Sequence, residues 1–184
     1  MAELTTQRLI LRPVVRSDLP DILRLAGEAA VAEMTASIRH PLSESDVEEW
    51  LLSTTPRDRR AYAVLRAEDQ VFLGVIDLTI GGHGGPAEVA FWIGQPYWRQ
   101  GYATEAVRRL LRFLFGERKL ASVNAESFPE NDAAIRVLGK TGFRALNRTM
   151  KAAPGRGGKR DVVVFAATRA SFAQAALSQA VGRE

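Results

Sequence analysis

The stretch Pro96-Tyr97-Trp98-Arg99-Gln100-Gly101-Tyr102-Ala103-Thr104-Glu105-Ala106 carries the clearest chemical signal in the chain. An apolar run leads into it and an amphipathic pattern leads out, so it reads as strand, loop and helix start. The first turn of a helix leaves backbone N–H groups without partners, pointing outward at the positive end of the helix dipole. Gly101 and Ala103 are small where the helix begins, which lets an anionic group approach that backbone. A phosphate or pyrophosphate would fit there, and Arg99 adds mobile positive charge. Small residues at a helix start also serve ordinary packing, so by its physics alone the stretch names no ligand.

The elements that must position this loop follow from periodicity. Residues 8–14 alternate loosely and end at Pro13, which suits a first strand near an edge. Ser17 is expected to cap a helix with Pro20 in its first turn, and Ser45 with Glu48 has the spacing of a capping box ahead of Val47, Trp50 and Leu51. A polar break at 56–60 precedes three strands, 61–65, 71–80 and 87–93. The second is expected to carry Val71, Leu73 and Val75 on one face, with an irregularity at Gly74. Glycines 81, 82, 84 and 85 with Pro86 make the turn before the third strand.

A helix over 101–115 carries the stripe Ala103, Ala106, Val107, Leu110, Leu111, Leu114. A short strand at 121–125 and a helix at 131–140 come next, the helix closed by Gly142 as a left-handed cap. Strands begin at Phe143 and at Val162, and a terminal helix follows from residue 170 with Ala173, Ala176, Leu177 and Ala180 on one face. The reading is one α/β domain over 1–184, with a core at 5–170 and a helical tail at 171–184. Its sheet is mixed but mostly antiparallel, with six to seven strands flanked by helices.

Composition narrows the function classes. Cysteine is absent, which removes disulfides, cysteine nucleophiles and thiolate metal sites. The two histidines, His40 and His83, are far apart, and no metal site is expected. No apolar run reaches the ~20 residues of a membrane helix, and the first residues lack the order of a signal peptide, so a cytoplasmic protein is expected. The net charge of +4 invites a nucleic-acid reading, but the basic residues are scattered. The densest cluster, Arg156 to Arg160, reads as a solvated Gly-rich loop, so no nucleic-acid partner is expected. Gly139-Lys140-Thr141 resembles the end of a P-loop, but Ala134 stands where that pattern needs glycine. No Gly-x-Ser-x-Gly elbow exists to anchor a hydrolase triad.

Three segments in order carry a family resemblance. The 96–106 stretch resembles the acetyl-CoA pyrophosphate loop of the GNAT superfamily of N-acetyltransferases, with Gly101 and Ala103 at its small positions. Its wording is similar to the RimJ/RimL branch, which acetylates ribosomal-protein N-termini. Asn131-Asp132-Ala133-Ala134-Ile135-Arg136-Val137-Leu138-Gly139-Lys140-Thr141-Gly142-Phe143 resembles that branch's Asn-x-x-Ser helix ending in Gly-Phe. Thr6-Gln7-Arg8-Leu9-Ile10-Leu11-Arg12-Pro13 resembles its first strand. The likeness covers roughly residues 5–170. Two departures stand out: Trp98 occupies the position of the family's Arg or Gln, and Ala134 replaces the serine that is a candidate proton donor in relatives.

The resemblance implies an acetyl-CoA-dependent N-acetyltransferase, a transferase of the acyltransferase class, with no metal. It places the pyrophosphate on Arg99, Gln100, Gly101, Tyr102, Ala103 and Thr104. It implies that the strand ending at Ile93 parts from the one at 121–126, so that the pantetheine arm pairs with exposed backbone as an added strand would. A backbone N–H near Trp92 or Ile93 would then polarise the thioester carbonyl. Asn131 is a further catalytic or cofactor candidate, and Arg136 a cofactor contact. Glu88 is the candidate base, directly or through water, against the alternative of a solvent-facing strand residue. His83, Tyr97 and Tyr102 are weaker proton-transfer candidates, and Arg108, Arg109 and Arg112 are read as a solvated helix face. Trp50 and Trp92 line either the acceptor pocket or the core.

The acceptor is a small-molecule, peptide or protein amine, and the protein a monomer or homodimer. An α-amine, with a pKa of ~7.7–8.0 against ~10.4 for lysine, needs less help from a base, which favours a peptide N-terminus. Small amines and antibiotics stay open as acceptors, as does a non-catalytic acyl-CoA sensor.

Overall fold

The computed structural model describes residues 3–54, 58–81 and 85–181. His83 and most of the glycine turn lie outside these residues, as do positions 55–57. The alternation at residues 8–14 becomes strand β2 (Leu9–Pro13), in which Leu9 and Leu11 are fully buried. A two-residue strand β1 (Leu4–Thr5) pairs antiparallel with it. Two residues are too few to show alternation, which is why the observed sheet has eight strands rather than six or seven.

The remaining strands are β3 (Arg59–Arg66), β4 (Phe72–Thr79), β5 (Ala87–Ile93), β6 (Ser122–Ser127), β7 (Arg144–Ala153) and β8 (Gly158–Thr168). They run in the order β1-β2-β3-β4-β5-β6-β8-β7, antiparallel at every junction except the parallel pair β5–β6. Helices α1 (Leu19–Ala26), α2 (Ala29–Ala32) and α3 (Glu44–Ser53) precede β3. Helix α4 (Tyr102–Arg112) follows β5 and runs into a π turn over Phe113–Glu117. Helix α5 (Asp132–Lys140) follows β6, and α6 (Arg169–Val181) follows β8. Among the described residues no helix is long and apolar enough to cross a membrane.

Each face of the sheet has its own core. On one, Ala106, Val107, Leu110 and Leu111 of α4 are completely buried against Leu73, Ile76, Leu78, Val89 and Val123. Truncating such a leucine to alanine costs about 2–5 kcal/mol, so the predicted stripe is what fixes α4 beneath its own N-terminal loop. On the other face, α1 and α3 bury Leu19, Ile22, Leu25 and Val47 against Ala63, Leu65, Phe72 and Val75.

Several local expectations shift. The irregularity near Gly74 is real: Val64 faces Gly74 but Leu65 faces Phe72, so Leu73 is an extra residue. This bulge sends Leu73 to the α4 face and Val75 to the α1/α3 face, separating residues that simple alternation had put together. The α3 cap is Ser43 with Asp46, not Ser45 with Glu48; the Ser43 hydroxyl accepts from Asp46 N–H at 3.2 Å. A 3-10 turn over Arg16–Asp18 precedes α1 in place of a Ser17 cap, with the Asp18 carboxylate held by Arg12 at 2.7 Å. The Arg156 to Arg160 cluster is a hairpin turn and strand start, with 157–160 exposed to solvent. Arg156 donates to Ile38 O at 2.8 Å and Arg160 pairs with Glu130 at 2.8 Å. The apolar positions Ala173, Ala176 and Leu177 of α6 face solvent, because Phe172 against Phe115 is what docks this helix.

Candidate active site

Strands β5 and β6 begin side by side and separate at once. Ala87 faces Val123 and Glu88 faces Asn124, and there the pairing ends, although both strands continue. On its other edge β5 stays paired with β4 along its length. Gly94 N–H donates to Leu73 O at 2.8 Å, which fixes the phase of that antiparallel ladder. Alternation then spends the main-chain groups of Glu88, Ala90 and Trp92 on β4 and turns those of Val89, Phe91 and Ile93 toward the gap. Of the two amides expected near the carbonyl, Ile93 N–H therefore faces the gap, while Trp92 N–H belongs to the sheet.

The loop after β5 folds back over this edge. The Trp98 indole N–H donates to Ile93 O at 2.5 Å, so the departure at position 98 has a structural use: it closes the last exposed carbonyl of the strand. Arg99 and Gly101 both have positive φ, +61° and +81°. Gly101 caps α4 in the left-handed conformation, where a side chain is strained by about 1–2 kcal/mol. The first helical bond is Glu105 N–H to Gly101 O at 3.0 Å, so the N–H groups of Tyr102, Ala103 and Thr104 precede the ladder. A Cβ on Gly101 would meet nothing closer than the Arg8 guanidinium at 3.5 Å, which leaves an open approach to that backbone.

Arg8 braces this loop. It pairs with Glu105 at 2.6 Å, donates to Gln100 O at 3.1 Å and lies 4.9 Å over the Tyr102 ring. The Thr6 hydroxyl donates to Glu105 at 2.6 Å. Burial pushes the Glu105 carboxyl up, but the bonds from Thr6 and Arg8 outweigh it and hold the group below its ordinary value. Thr6, Arg8 and Glu105 all stand in segments legible as strand or helix, yet nothing in their spacing says that they meet across about a hundred positions. Tyr102 is buried under Arg8, and Tyr97 packs between the two cores. Arg109 donates to Thr5 O at 3.0 Å and Arg108 reaches Lys140 O at 3.5 Å, so only Arg112 of the three fits a solvated face.

On the α1/α3 side of the gap lies a cleft of about 520 Å³. Glu88, Trp92, Asp77 and Glu126 line its floor from the sheet, Trp50 its α3 wall, and residues 34–39 its far rim. Side chains alternate across a strand, which puts Glu88, Ala90 and Trp92 together on this face. Trp50 and Trp92 thus line the cleft while remaining half-buried. The Trp50 indole N–H donates to Asp77 at 3.3 Å, Arg59 pairs with Asp77 at 2.5 Å, and Arg59 also donates to the Ser53 hydroxyl at 2.7 Å. That bracket fixes the indole.

The rim at 34–38 is tied down from the far end of the sheet. Gly155 N–H donates to Ala36 O at 2.9 Å, Arg156 to Ile38 O, and Asn131 Nδ2 to Met34 O at 3.3 Å. Asn131 also caps α5, its Oδ1 accepting from Ala134 N–H at 3.0 Å. Ala134 lines the cleft without a hydroxyl. Arg136 is exposed on α5.

The cleft's charges are mostly paired: Asp46 with Arg39 at 2.7 Å, Asp77 with Arg59, Glu126 with Lys151 at 2.8 Å. Among the described residues Glu88 makes no ion pair or hydrogen bond. Glu88 is exposed on the cleft floor, and partial desolvation there raises its carboxyl above the ordinary value, with the Glu126 and Asp77 carboxylates adding to that against the opposing Lys151. A carboxylate of raised proton affinity, free of a fixed partner beside an open strand edge, is equipped to accept a proton.

Residues 8–144 match the family model described as an acetyltransferase (GNAT) domain. An uncharacterized N-acetyltransferase p20 of Bacillus licheniformis is 27% identical over 180 residues, 94% of this chain and 99% of that protein. Among solved structures, a spermidine N-acetyltransferase from Vibrio cholerae in complex with CoA and spermine superposes with a TM-score of 0.77 at 20% identity. That alignment covers 91% of this chain and 99% of the other. RimL, a ribosomal L7/L12 α-N-protein acetyltransferase in complex with CoA, gives 0.78 at 15% identity over 91% and 98% of the two chains. At these identities the two structures establish a shared fold.

Proposed function

Because the chain belongs to the GNAT acetyltransferase family and is an acetyl-CoA-dependent N-acetyltransferase, we propose that its acceptor is a primary amine that enters through the α1/α3 cleft and is deprotonated by Glu88. The observation that carries this reading is the early parting of β5 from β6, which turns the Phe91 main-chain groups and the Ile93 N–H toward the gap on the strand that carries Glu88.

The cosubstrate supplies an activated acyl thioester. The N–H groups from Arg99 through Thr104 hold its pyrophosphate at the α4 N-terminus, with the Arg99 and Gln100 side chains at the exposed rim of the loop. The edge of β5 accepts an extended arm as an added strand. The Ile93 N–H points where a thioester oxygen would gather charge, and a fixed dipole there costs no reorganisation during the reaction. Glu88 takes the ammonium proton directly or through a water. Asn131 acts by capping α5 and tethering the rim, and Arg136 reaches the cosubstrate from α5. With Ala134 in place of serine, no hydroxyl at that position takes part.

Within the family, the acceptor is a peptide α-amine of the RimJ/RimL kind. The segments at 6–13 and 131–143 are similar to that branch, and an α-amine loses its proton more readily than a lysine or polyamine nitrogen. A second reading, a polyamine, draws on Glu88 and Glu49, which line the cleft and, among the described residues, make no ion pair. Thiol release from acetyl-CoA, measured with lysine-free peptides, their Nα-acetylated forms and spermidine, separates the two. Turnover on free α-amines that vanishes on Nα-acetylation supports the first. Spermidine turnover exceeding every peptide establishes the second.

A further inference from the structure

Every sheet carboxylate on the cleft floor except Glu88 is neutralised, and the cation that neutralises Glu126 comes from an unexpected place. Glu126 lies on β6, two residues beyond Asn124, the partner of Glu88, so both carboxylates share one face. Lys151 stands on the edge strand β7, with β8 between it and β6. Its chain must cross that strand to put Nζ 2.8 Å from Glu126. It spends this reach although solvent is available to it, its side chain being 49% exposed.

We propose that Lys151 is a positioning residue that ties down Glu126, leaving Glu88 as the one floor carboxylate open to the incoming amine. The inference rests on Glu88 serving as the base. The two carboxylates stand on adjacent strands at the mouth of the gap, where like charges disfavour joint ionisation. A cation fixed on one of them lets the other ionise.

The groups facing Glu88 are few. From β4 comes Asp77, itself held by Arg59 of β3. From β6 and β7 come Glu126 and Lys151. From α3 and the rim come Glu49 and the Asp46–Arg39 pair. Among the described residues Lys151 is the one cation paired with Glu126, as Arg59 is with Asp77. Its removal therefore leaves Glu126 repelling Glu88, with no other fixed cation in its place. Partial desolvation and Glu126 already raise the Glu88 carboxyl while Lys151 opposes them, which agrees in sign.

The test is the pH dependence of kcat/KM with the best acceptor for the parent, Lys151→Met, Lys151→Arg, Glu126→Gln and the double variant Glu126→Gln/Lys151→Met. The expected result is an acidic limb moved to higher pH in Lys151→Met, with its alkaline plateau retained. Lys151→Arg restores the parental limb. The double variant returns toward it as well, because the carboxylate that needed neutralising is gone. A uniform loss at all pH values in Lys151→Met, or a raised KM with an unmoved limb, overturns the proposal in favour of a structural or acceptor-binding lysine. Glu88→Gln serves as the separate control. If it keeps the parental profile, the base assignment fails; if it loses the limb while Lys151→Met does not move it, only the role of Lys151 fails.

Discussion

The two halves of the site are built in opposite ways. On the proposed function the cosubstrate side is a contiguous run, residues 93–105, that would act through main-chain N–H groups and the left-handed Arg99 and Gly101. The proposed acceptor side draws on α1, α3, α5, five strands, the 34–39 rim and the hairpin turn beyond β7, and would act through side chains. A loop that works through its backbone tolerates substitution at most positions, including tryptophan at 98. A cleft that works through side chains changes its selectivity with any of a dozen residues. This is why relatives can share a fold while differing in the amines they acetylate.

The largest effect expected is on the acceptor side. Glu88→Gln keeps size and hydrogen bonding but removes the base, so kcat should fall by about 10²–10⁴ with CoA affinity unchanged. In the parent, activity falls as pH drops through the Glu88 pKa. Partial desolvation and then Glu126 raise that pKa, so the acidic limb should lie above where a solvated glutamate would place it, and the variant should lack it. Stopped-flow thiol release across pH reads both.

The cosubstrate side should break at one backbone position. Gly101→Glu sets a carboxylate against the pyrophosphate, and about 4 kcal/mol of repulsion at close range corresponds to a loss of roughly a thousandfold in CoA affinity. Gly101→Ala carries only the left-handed strain and should bind CoA while melting slightly lower. Calorimetry with CoA, alongside a thermal melt, distinguishes charge from strain. Normal CoA binding by Gly101→Glu would dissociate this loop from the pyrophosphate.

A third variant tests whether the two sides are independent. A Cβ on Gly155 would meet Ile38 O at 2.2 Å and Ala36 O at 3.1 Å, so Gly155→Val must push the rim away. The acceptor KM should rise, by up to about a hundredfold for a displacement of about an ångström, while CoA affinity stays put. A matching loss of CoA affinity would show that the rim serves both halves.

The smallest effect is expected from Asp77→Asn, which weakens the bracket holding Trp50. The Arg59–Asp77 pair is partly exposed, so the loss should be about 1 kcal/mol, or about 2–4 °C in Tm. Acceptor KM should change more than kcat, because the indole forms a wall and takes no proton.

How much was legible follows the same division. The loop, the α4 stripe, the helix start at Asn131 and the parting of the strand at Ile93 from that at 121–126 were all expected, because each rests on local spacing or on one contiguous resemblance. The Ser43 cap was missed by two residues, since Ser45 offers the same chemistry nearby. The bulge at Leu73 was sensed through Gly74, but which side chains it would turn over was not, because a single extra residue inverts the pleat after it. Arg8, Lys151, Asp77 and the Gly155 clamp gave no signal. An arginine on a strand or a glycine in a turn looks the same whether it faces water or a partner far along the chain.

The sequence by itself determined the periodicities, and with them an amphipathic helix that follows a strand and carries its apolar stripe on one face. It also determined that residues 102–104 offer unpaired amides, since helix geometry requires them at any helix start. Tertiary structure alone decided what that geometry is used for. The pairing phase of β4 with β5 assigned the Ile93 amide to the gap and the Trp92 amide to the sheet. The strand order set Glu88 beside Glu126 and brought Lys151 across β8 to neutralise it. Such facts are relations between distant backbones, and a local pattern of side-chain types does not contain them.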